Sequence, residues 1–260
     1  MNEPEDSQPR ATLVRLRFVK VAVTAVCLLA VSAGAHASAV KIERDSPVLK
    51  FTYEWPAAAV AIRKLDRRFR VEAAKEYRRH LKLGREDKAT YQQQQRGSVT
   101  DEYFKRWTTA GETPRLLSLQ YQHSTYTGGA HPNGEAGALL WDRKLDREIA
   151  VSSLFRHPTA FAKLTRPVYC KGLDDERQKR RKDWKPDLPD FNACPPYADL
   201  AISPLDKSKD GRFDAIAFVA SPYEAGPYAE GEYTIEVPVT SKLIAAIRPE
   251  YRNSFERQRQ

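Results

Sequence analysis

Histidine, the residue type best suited to proton transfer near neutral pH, is scarce in this chain. The five histidines are His36, His80, His123, His131 and His157. No two of them are four residues apart, so the H-x-x-x-H and H-E-x-x-H spacings of helical zinc sites are absent. There is also no G-x-S-x-G nucleophile motif and no glycine loop of the phosphate-binding type. The residues therefore argue against a metal centre and against a familiar hydrolase, and no cofactor is expected.

His131 is the one histidine whose surroundings resemble an active-site loop, a turn-rich segment over residues 127–134. In one interpretation its ring hydrogen-bonds main-chain groups, and the glycines before it supply positive φ angles. In the other, the ring binds a ligand or acts as a general base together with a carboxylate. The sequence leaves both open. The candidate binding residues are Gly128, Gly129, His131, Asn133, Tyr223 and Glu224.

The cysteines indicate an oxidising compartment. Cys27 lies in an N-terminal apolar run, which leaves Cys170 and Cys194 as an even pair in the rest of the chain. Outside the cytosol such a pair predicts a structural disulfide. Closing a loop of this length stabilises a fold by about 3 kcal/mol in the chain-entropy model.

The N-terminus has the order of segments that a secretory signal requires. Basic residues from Arg10 to Lys20 precede the apolar run 21–35, and Ala35-His36-Ala37 then supplies an A-x-A cleavage pattern. We therefore predict a signal peptide over residues 1–37 and a periplasmic or secreted protein. An uncleaved anchor is the alternative, although the run of 15 residues is shorter than the roughly 20 that cross a bilayer as a helix.

The net charge narrows the classes of partner. The whole chain carries a formal charge of +9, and about +8 remains after signal cleavage. An excess of this size is typical of scattered surface lysines and arginines, and it is also compatible with anionic envelope polymers or lipid headgroups as partners. Export and the lack of a recognisable nucleic-acid module exclude DNA and RNA. No stretch after the signal is apolar enough to span a membrane.

The apolar pattern of the first half predicts one strand and one long helix. Residues 51–55 alternate apolar and polar side chains, which predicts a short strand before Pro56. From Ala58 the apolar residues recur every three or four positions, which predicts an amphipathic helix ending near Gly84. Residues 85–100 are polar and are predicted to be a loop or a frayed extension of that helix.

The second half is predicted to be rich in strands. The predicted strands are 117–121, 138–141, 148–151, 213–220 and 233–239. We predict a helix around Phe161 that Pro167 stops or kinks, an exposed charged insertion over 171–190 and a short helix over 243–247. Strands and helices do not alternate as in βαβ units. The predicted fold class is therefore α+β, with one or more antiparallel sheets and a few packed helices.

Two groups of motifs resemble a bacterial extracellular domain. The first is Tyr126-Thr127-Gly128-Gly129-Ala130-His131, followed by Asp142 and Ser153-Leu154-Phe155. The second is Pro222-Tyr223-Glu224-Ala225-Gly226-Pro227-Tyr228-Ala229, followed by Glu236-Val237-Pro238. They are similar to the domain of unknown function shared by the RsiV anti-sigma factor and the PdaC peptidoglycan deacetylase. Residues 51–56 and the helix after them resemble its small companion domain. The resemblance implies a subdomain over 38–110 and a larger domain over 111–260.

The resemblance implies binding rather than catalysis. In RsiV the domain resembles a sensor that binds lysozyme, and in PdaC it accompanies a separate deacetylase domain. We expect neither a sigma-binding segment nor a deacetylase domain here. This chain departs from the pattern at Pro132 and in the charged insertion. Lysozyme is basic, and like charges slow encounter, so that function is not carried over.

Two functional hypotheses follow. The first is a non-catalytic envelope binding or sensing protein whose ligand is a cell-wall fragment, a lysozyme-like protein or another envelope protein. The second is a small hydrolase that acts on cell-wall material through His131 and a carboxylate. The absence of a recognisable nucleophile or metal set favours the first.

Overall fold

The fold is taken from a computed structural model that describes residues 37–94, 97, 99–182 and 191–258. All of them belong to one compact unit, His36–Gln260. The predicted signal peptide lies outside the described residues, apart from Ala37. Within the described residues, no helix is both long enough and apolar enough to cross a membrane.

A six-stranded sheet is built from residues between Val40 and Ile149, with its strands in simple chain order, β1 to β6. Its neighbours pair antiparallel, except that β2 and β3 pair parallel. The strands are β1 (Val40–Ser46), β2 (Leu49–Trp55), β3 (Asp101–Glu112), β4 (Leu116–Tyr126), β5 (Asn133–Asp142) and β6 (Arg147–Ile149). The predicted strands at 51–55, 117–121, 138–141 and 148–151 correspond to β2, β4, β5 and β6.

A second, three-stranded antiparallel sheet follows in the order β7-β8-β9. Its strands are β7 (Ala201–Leu205), β8 (Ala215–Ala220) and β9 (Tyr233–Pro238). Every residue of β8 is buried, as expected of a central strand that is apolar on both faces. Along β9 the buried and exposed residues alternate, with Pro238 at its end. The prediction of an α+β fold is confirmed.

The described residues also form four α-helices: α1 (Ala57–Val60), α2 (Arg63–Gln93), α3 (Pro158–Arg181) and α4 (Ser241–Ala246). Helix α2 forms the crossover that a parallel β2–β3 pair requires. It does not end near Gly84. A Cβ on Gly84 would collide with the carbonyl oxygen of Val48, so this glycine permits the helix to pass close to the β1–β2 turn rather than terminating it.

Two apolar cores lie on opposite faces of the six-stranded sheet. On β4, Leu117 and Leu119 pack with α2 in one core, whereas Leu116 packs in the other. On β5, Leu139 packs in the core that contains α2, and Leu140 packs in the other core. Because side chains alternate across a strand, α2 covers one face of the sheet and β7–β9 with α3 and α4 cover the other. A smaller cluster joins Ala136 and Ala138 to the second sheet.

The prediction of an exposed insertion over residues 171–190 was wrong for residues 171–181. They are the last turns of α3, which continues through Pro167. Leu173 is fully buried and Arg177 is 4% exposed. The cation run also packs against protein: Arg180 lies 3.9 Å over the ring of Tyr233, and Arg181 makes two hydrogen bonds to Glu230 of 2.8 and 2.9 Å. The remaining part, 183–190, lies outside the described residues.

Candidate functional site

The predicted turn before β5 is held against the end of α2. Gly128 and Gly129 have φ angles of 96° and 111°, a region that suits glycine. The Tyr91 hydroxyl donates to the carbonyl oxygen of Thr127 at 3.1 Å. A Cβ on Gly128 would lie 2.9 Å from that hydroxyl, so both the φ angle and the available space require glycine at this position. Asn133 follows as the exposed first residue of β5.

His131 joins the two motif segments that the sequence singled out. Its ring stacks on the ring of Tyr228, with centroids 3.5 Å apart and planes 12° from parallel. Tyr228 in turn lies 5.8 Å from the ring of Tyr223. The imidazole Nδ1 lies 3.0 Å from the carbonyl oxygen of Pro132. The structure thus brings the turn of residues 127–133 together with the loop of residues 221–228.

The geometry around His131 does not assemble the acid–base pair of the hydrolase hypothesis. Within the described part of the chain, the histidines with a carboxylate oxygen within 4.0 Å are His80 and His123, and His131 is not among them. No group of three or more metal-ligating side chains occurs among these residues either.

The loop of residues 221–228 is fixed from both sides. Ser221 Oγ accepts a hydrogen bond of 2.9 Å from the Ala136 amide of β5. On the other side, Arg177 donates from Nε to the Ala225 carbonyl oxygen at 3.0 Å. Between these anchors Tyr223 has a φ of 76° and is 54% exposed. A tyrosine in the left-handed region is strained, and such strain is tolerated only where the surroundings impose it.

Beside this loop an open cleft of about 810 Å³ runs along β5. One wall is β5 itself, and the ends are β6 with the turn after it and the 221–224 segment. The opposite wall is the segment from Tyr197 to Ile202 that leads into β7. Of the predicted site residues, Glu224 lines the cleft. The other predicted site residues are not among those that line it. They are Gly128, Gly129, His131, Asn133 and Tyr223.

The cleft is acidic although the protein is basic. Four carboxylates line it, and no lysine, arginine or histidine does so among the described residues. The four carboxylates are Glu135, Glu148, Asp199 and Glu224. Burial, and then the charge of Asp199, raise the pKa of the Glu224 carboxyl above its ordinary value. A cation bound between these two groups would relieve their repulsion.

The partners of the other two carboxylates leave them accessible. Glu135 accepts a hydrogen bond of 2.7 Å from the Tyr121 hydroxyl and remains 60% exposed. Glu148 pairs with Arg68 at 2.6 Å, with both side chains nearly half exposed. Exposed ion pairs of this kind contribute little net stability. A cationic group of a bound partner can therefore replace Arg68 beside Glu148.

A second cavity, of about 350 Å³, lies between α2 and the face of β3–β5. His80 and His123 lie on either side of the Tyr103 ring, with centroid distances of 4.7 and 4.9 Å. Burial is the main cause that lowers the pKa of both imidazoles. Glu76 lies 3.7 Å from His80, and Glu135 lies 3.8 Å from His123. Glu135 therefore lines both cavities.

Sequence reasoning did not predict Glu135, Glu148 or Asp199 as site residues. Asp199 is far from the motifs in sequence, and only the packing of the two sheets brings it opposite β5. A local signal for Glu135 did exist in the run Gly134-Glu135-Ala136-Gly137-Ala138. Small residues around an exposed carboxylate indicate a strand that other chain segments can approach closely.

The predicted disulfide is present. Cys170 of α3 is bonded to Cys194, with their Cα atoms 5.5 Å apart. The Cys194 carbonyl oxygen accepts from Arg166 at 2.8 Å, and the Ala193 carbonyl oxygen accepts from Arg177 at 3.0 Å. The bond therefore fixes to α3 the segment that continues into the acidic wall of the cleft.

Comparisons with known proteins agree with the motifs. Residues 42–134 match the family described as Deacetylase PdaC. No curated protein matches the sequence. A DUF3298 family protein from Pseudomonas aeruginosa PAO1 has a similar structure, with a TM-score of 0.53 at 12% identity over 85% of this chain and 98% of that one.

A member of the DUF3298 family from Bacteroides fragilis NCTC 9343 also matches, with a TM-score of 0.49 at 14% identity over 84% of this chain and 95% of that one. At such identities the structural likeness concerns the fold alone. The family match over 42–134, together with the fold shared with the Pseudomonas protein, confirms the resemblance predicted from the motifs. Residues 42–134 are therefore similar to the domain described as Deacetylase PdaC, and the fold is similar to that of a DUF3298 family protein.

Proposed function

We propose that this is an exported envelope protein that binds a basic protein partner in the acidic cleft and catalyses no reaction there. The observation that carries the proposal is the charge of the cleft: four carboxylates and no cationic side chain among its described lining residues. A surface of one sign in a concave site attracts ligands of the opposite sign and raises their association rate.

The charge of the cleft separates the three ligand classes left open by the sequence. Cell-wall peptide fragments carry carboxylates of their own, which the cleft would repel. A basic protein, whether lysozyme-like or part of the envelope, has the complementary charge. The net charge of about +8 that remains after signal cleavage opposes a basic partner at long range. However, charges more than about 8 Å away are largely screened at physiological salt, so the charge of the cleft itself dominates the interaction with a partner that has reached it.

The test compares two pairs of acidic residues. Glu224→Gln with Asp199→Asn removes two charges from the cleft, whereas Glu86→Gln with Glu102→Gln removes two exposed charges outside it. With an animal lysozyme as the basic probe, calorimetric titration should show binding that weakens with salt. The cleft variant should lose at least about ten-fold in affinity, which corresponds to about 1.4 kcal/mol, and the control should stay within about two-fold.

Equal losses in both variants would mean that only net charge matters and that the cleft is not the site. Tighter binding of soluble peptidoglycan fragments than of lysozyme would contradict the basic-partner assignment. Release of products from those fragments would show an enzyme.

A further inference from the structure

One side of β5 has no neighbouring strand for most of its length. β4 pairs with β5 over its whole length. On the other side, β6 pairs only with Leu140, Trp141 and Asp142. Within the described part of the chain, residues 133–139 therefore form an unpaired strand edge inside a six-stranded sheet. This edge faces the acidic cleft, because residues from both faces of β5 line it.

The main-chain groups of Ala138 on this edge point into the cleft. The Ala136 amide donates to Ser221 Oγ, so it points away from β4. Main-chain groups alternate in direction along a strand, and Leu140, two residues beyond Ala138, is in register with Ile149 of β6. The amide and carbonyl of Ala138 therefore face the cleft. Ala138 lies between Ala136, whose amide Ser221 binds, and Leu140, which pairs with β6.

The side chains along the edge leave room for another main chain. Gly134, Ala136, Gly137 and Ala138 are the smallest residues available, and each lines the cleft. On one face of the strand the space beside Gly137 is filled by the Tyr121 ring, with which a Cβ would collide, so the room lies along the edge rather than over that face. Six residues of strand extend about 20 Å, a usual strand length in globular proteins. The edge also lacks the lysines, prolines and bulges that commonly block exposed edges.

We propose that a partner protein adds one extended segment to β5 along residues 134–139, with basic side chains directed to the carboxylates around the cleft. This rests on the proposed function and deepens it. Main-chain hydrogen bonds to the Ala138 edge would supply affinity, and alternate side chains of the added strand would supply specificity. Glu135 and Glu148 belong to β5 and β6, while Asp199 and Glu224 belong to two other segments of the lining, so carboxylates from several parts of the chain line the cleft that would receive the added strand.

A synthetic peptide tests the inference on the purified protein. The probe is a blocked hexapeptide that alternates lysine and valine. Its fully N-methylated analogue keeps the charges but has no amide donors, and a glutamate–valine analogue reverses the charges. We expect the first peptide to bind, the N-methylated one to bind at least about ten-fold more weakly, and the acidic one not to bind. In the bound state the Ala138 amide should exchange its hydrogen more slowly.

A variant of the edge provides a second readout. Ala138→Pro removes the amide that faces the cleft, a position at which an edge strand accepts proline. It should weaken binding of the lysine–valine peptide to the level of the N-methylated peptide while its melting temperature stays near that of the parent. If Ala138→Pro does not fold, the comparison of the two peptides decides alone.

The outcomes separate this inference from the proposed function. Equal binding of the methylated and unmethylated basic peptides overturns strand addition but leaves a charge-driven cleft. Failure of the lysine–valine peptide to bind also overturns strand addition, and lysozyme binding then decides the proposed function. Protection of amides elsewhere, with none at residues 134–139, places the peptide at another site and overturns the inference.

Discussion

At the scale of single residues, His131 stacks on an aromatic ring, and among the described residues no carboxylate oxygen lies within 4.0 Å of it. Its ring covers Tyr228 at 3.5 Å and thereby connects the turn before β5 to the loop that carries Glu224. The sequence could not decide between the structural and the functional interpretation of His131, because its stacking partner Tyr228 lies about a hundred residues further along the chain.

This contact predicts a loss of stability when the ring is removed. His131→Ala should lower the free energy of unfolding by about 1 kcal/mol, because stacked aromatic pairs contribute about 0.5–1.5 kcal/mol beyond their buried area. His131→Phe keeps a ring in place and should lose less. Urea denaturation measures both. A His131→Ala protein as stable as the parent that no longer binds the basic probe would instead assign the ring to ligand binding.

Asp101, the first residue of β3, is a buried carboxylate whose two oxygens have no hydrogen-bond partner. Burial, and then the charge of Asp87, raise its pKa to about 6. Because the folded pKa exceeds the unfolded one, the folded state binds the proton more tightly. This group therefore destabilises the fold progressively as the pH rises from about 4 through 6.

Asp101→Asn should consequently stabilise the protein at pH 7, by about 1–2 kcal/mol, and have little effect at pH 4. Thermal melting at the two pH values measures this difference. The neighbouring Glu102→Gln, an exposed carboxylate, serves as the control and should change the melting temperature little at either pH. A destabilised Asp101→Asn protein at pH 7 would show that the carboxylate has a favourable partner.

At the scale of elements, α3 organises the cleft through one buried arginine. Arg177 donates to the carbonyl oxygens of Ala225 and Ala193, each at 3.0 Å, and to Asp174 at 3.2 Å. It therefore links the helix to the loop with Glu224 and to the disulfide segment. In the sequence this residue belongs to a stretch rich in charge, and nothing in that stretch distinguishes the cations that face inward from those that face solvent.

Arg177→Met keeps the length of the side chain but leaves two buried carbonyl groups without a donor. We expect a loss of about 2–4 kcal/mol of unfolding free energy, measured by urea denaturation. Lys179→Met on the same helix removes a side chain that is 70% exposed and should change stability by less than about 0.5 kcal/mol. Similar effects of the two changes would contradict the role given to Arg177.

The elements differ in how far the sequence predicted them. Apolar and polar residues alternate in the sequence over 117–121 of β4 and along β9. β8 is apolar throughout, so all three strands were predicted. β3 was missed because Lys105 lies at an inward position, where Glu72 accepts from it at 2.7 Å and the Tyr121 ring lies 4.0 Å away. Its buried charge breaks the apolar pattern. β1 was missed because it is an edge strand with largely exposed residues.

The candidate site was predicted only in part for a related reason. Gly128, Gly129, His131 and Tyr223 carry local signals, namely turn chemistry and motif. The cleft depends on where β6 stops and on how the β7 segment packs opposite β5, and both are set by long-range contacts. No pattern within a few residues of Asp199 or Glu148 encodes that arrangement.

At the scale of the whole molecule, the buried His80 and the half-buried His123 predict a dependence of stability on pH. Burial lowers the pKa of His80 and His123 below the ordinary value of 6.5. The unfolded chain therefore binds protons first as the pH falls through 6.5. Stability is complete above that value and declines below it. Glu76 and Glu135 oppose this decline, whereas Arg79 and Lys105 reinforce it.

The parent should thus lose more stability between pH 7.5 and 5.5 than the double variant His80→Gln, His123→Gln. Both proteins retain Asp101, which titrates in the opposite direction, so the difference between them reports the histidines alone. Urea denaturation at each pH gives the two slopes. Parallel slopes would show that the imidazoles ionise in the folded state as freely as in the unfolded one.

The parallel pairing of β2 with β3 has a kinetic consequence. β3 to β6 are joined by short turns, and so are β1 and β2, so each group has mainly local contacts. The hairpin of β1 and β2 reaches β3 only after α2, Arg63–Gln93, has closed the long connection. Contacts of long sequence separation form slowly because loop-closure entropy opposes them. Docking of the first hairpin should therefore be the slow step of refolding, with β3 exposed as an aggregation-prone edge until it is complete.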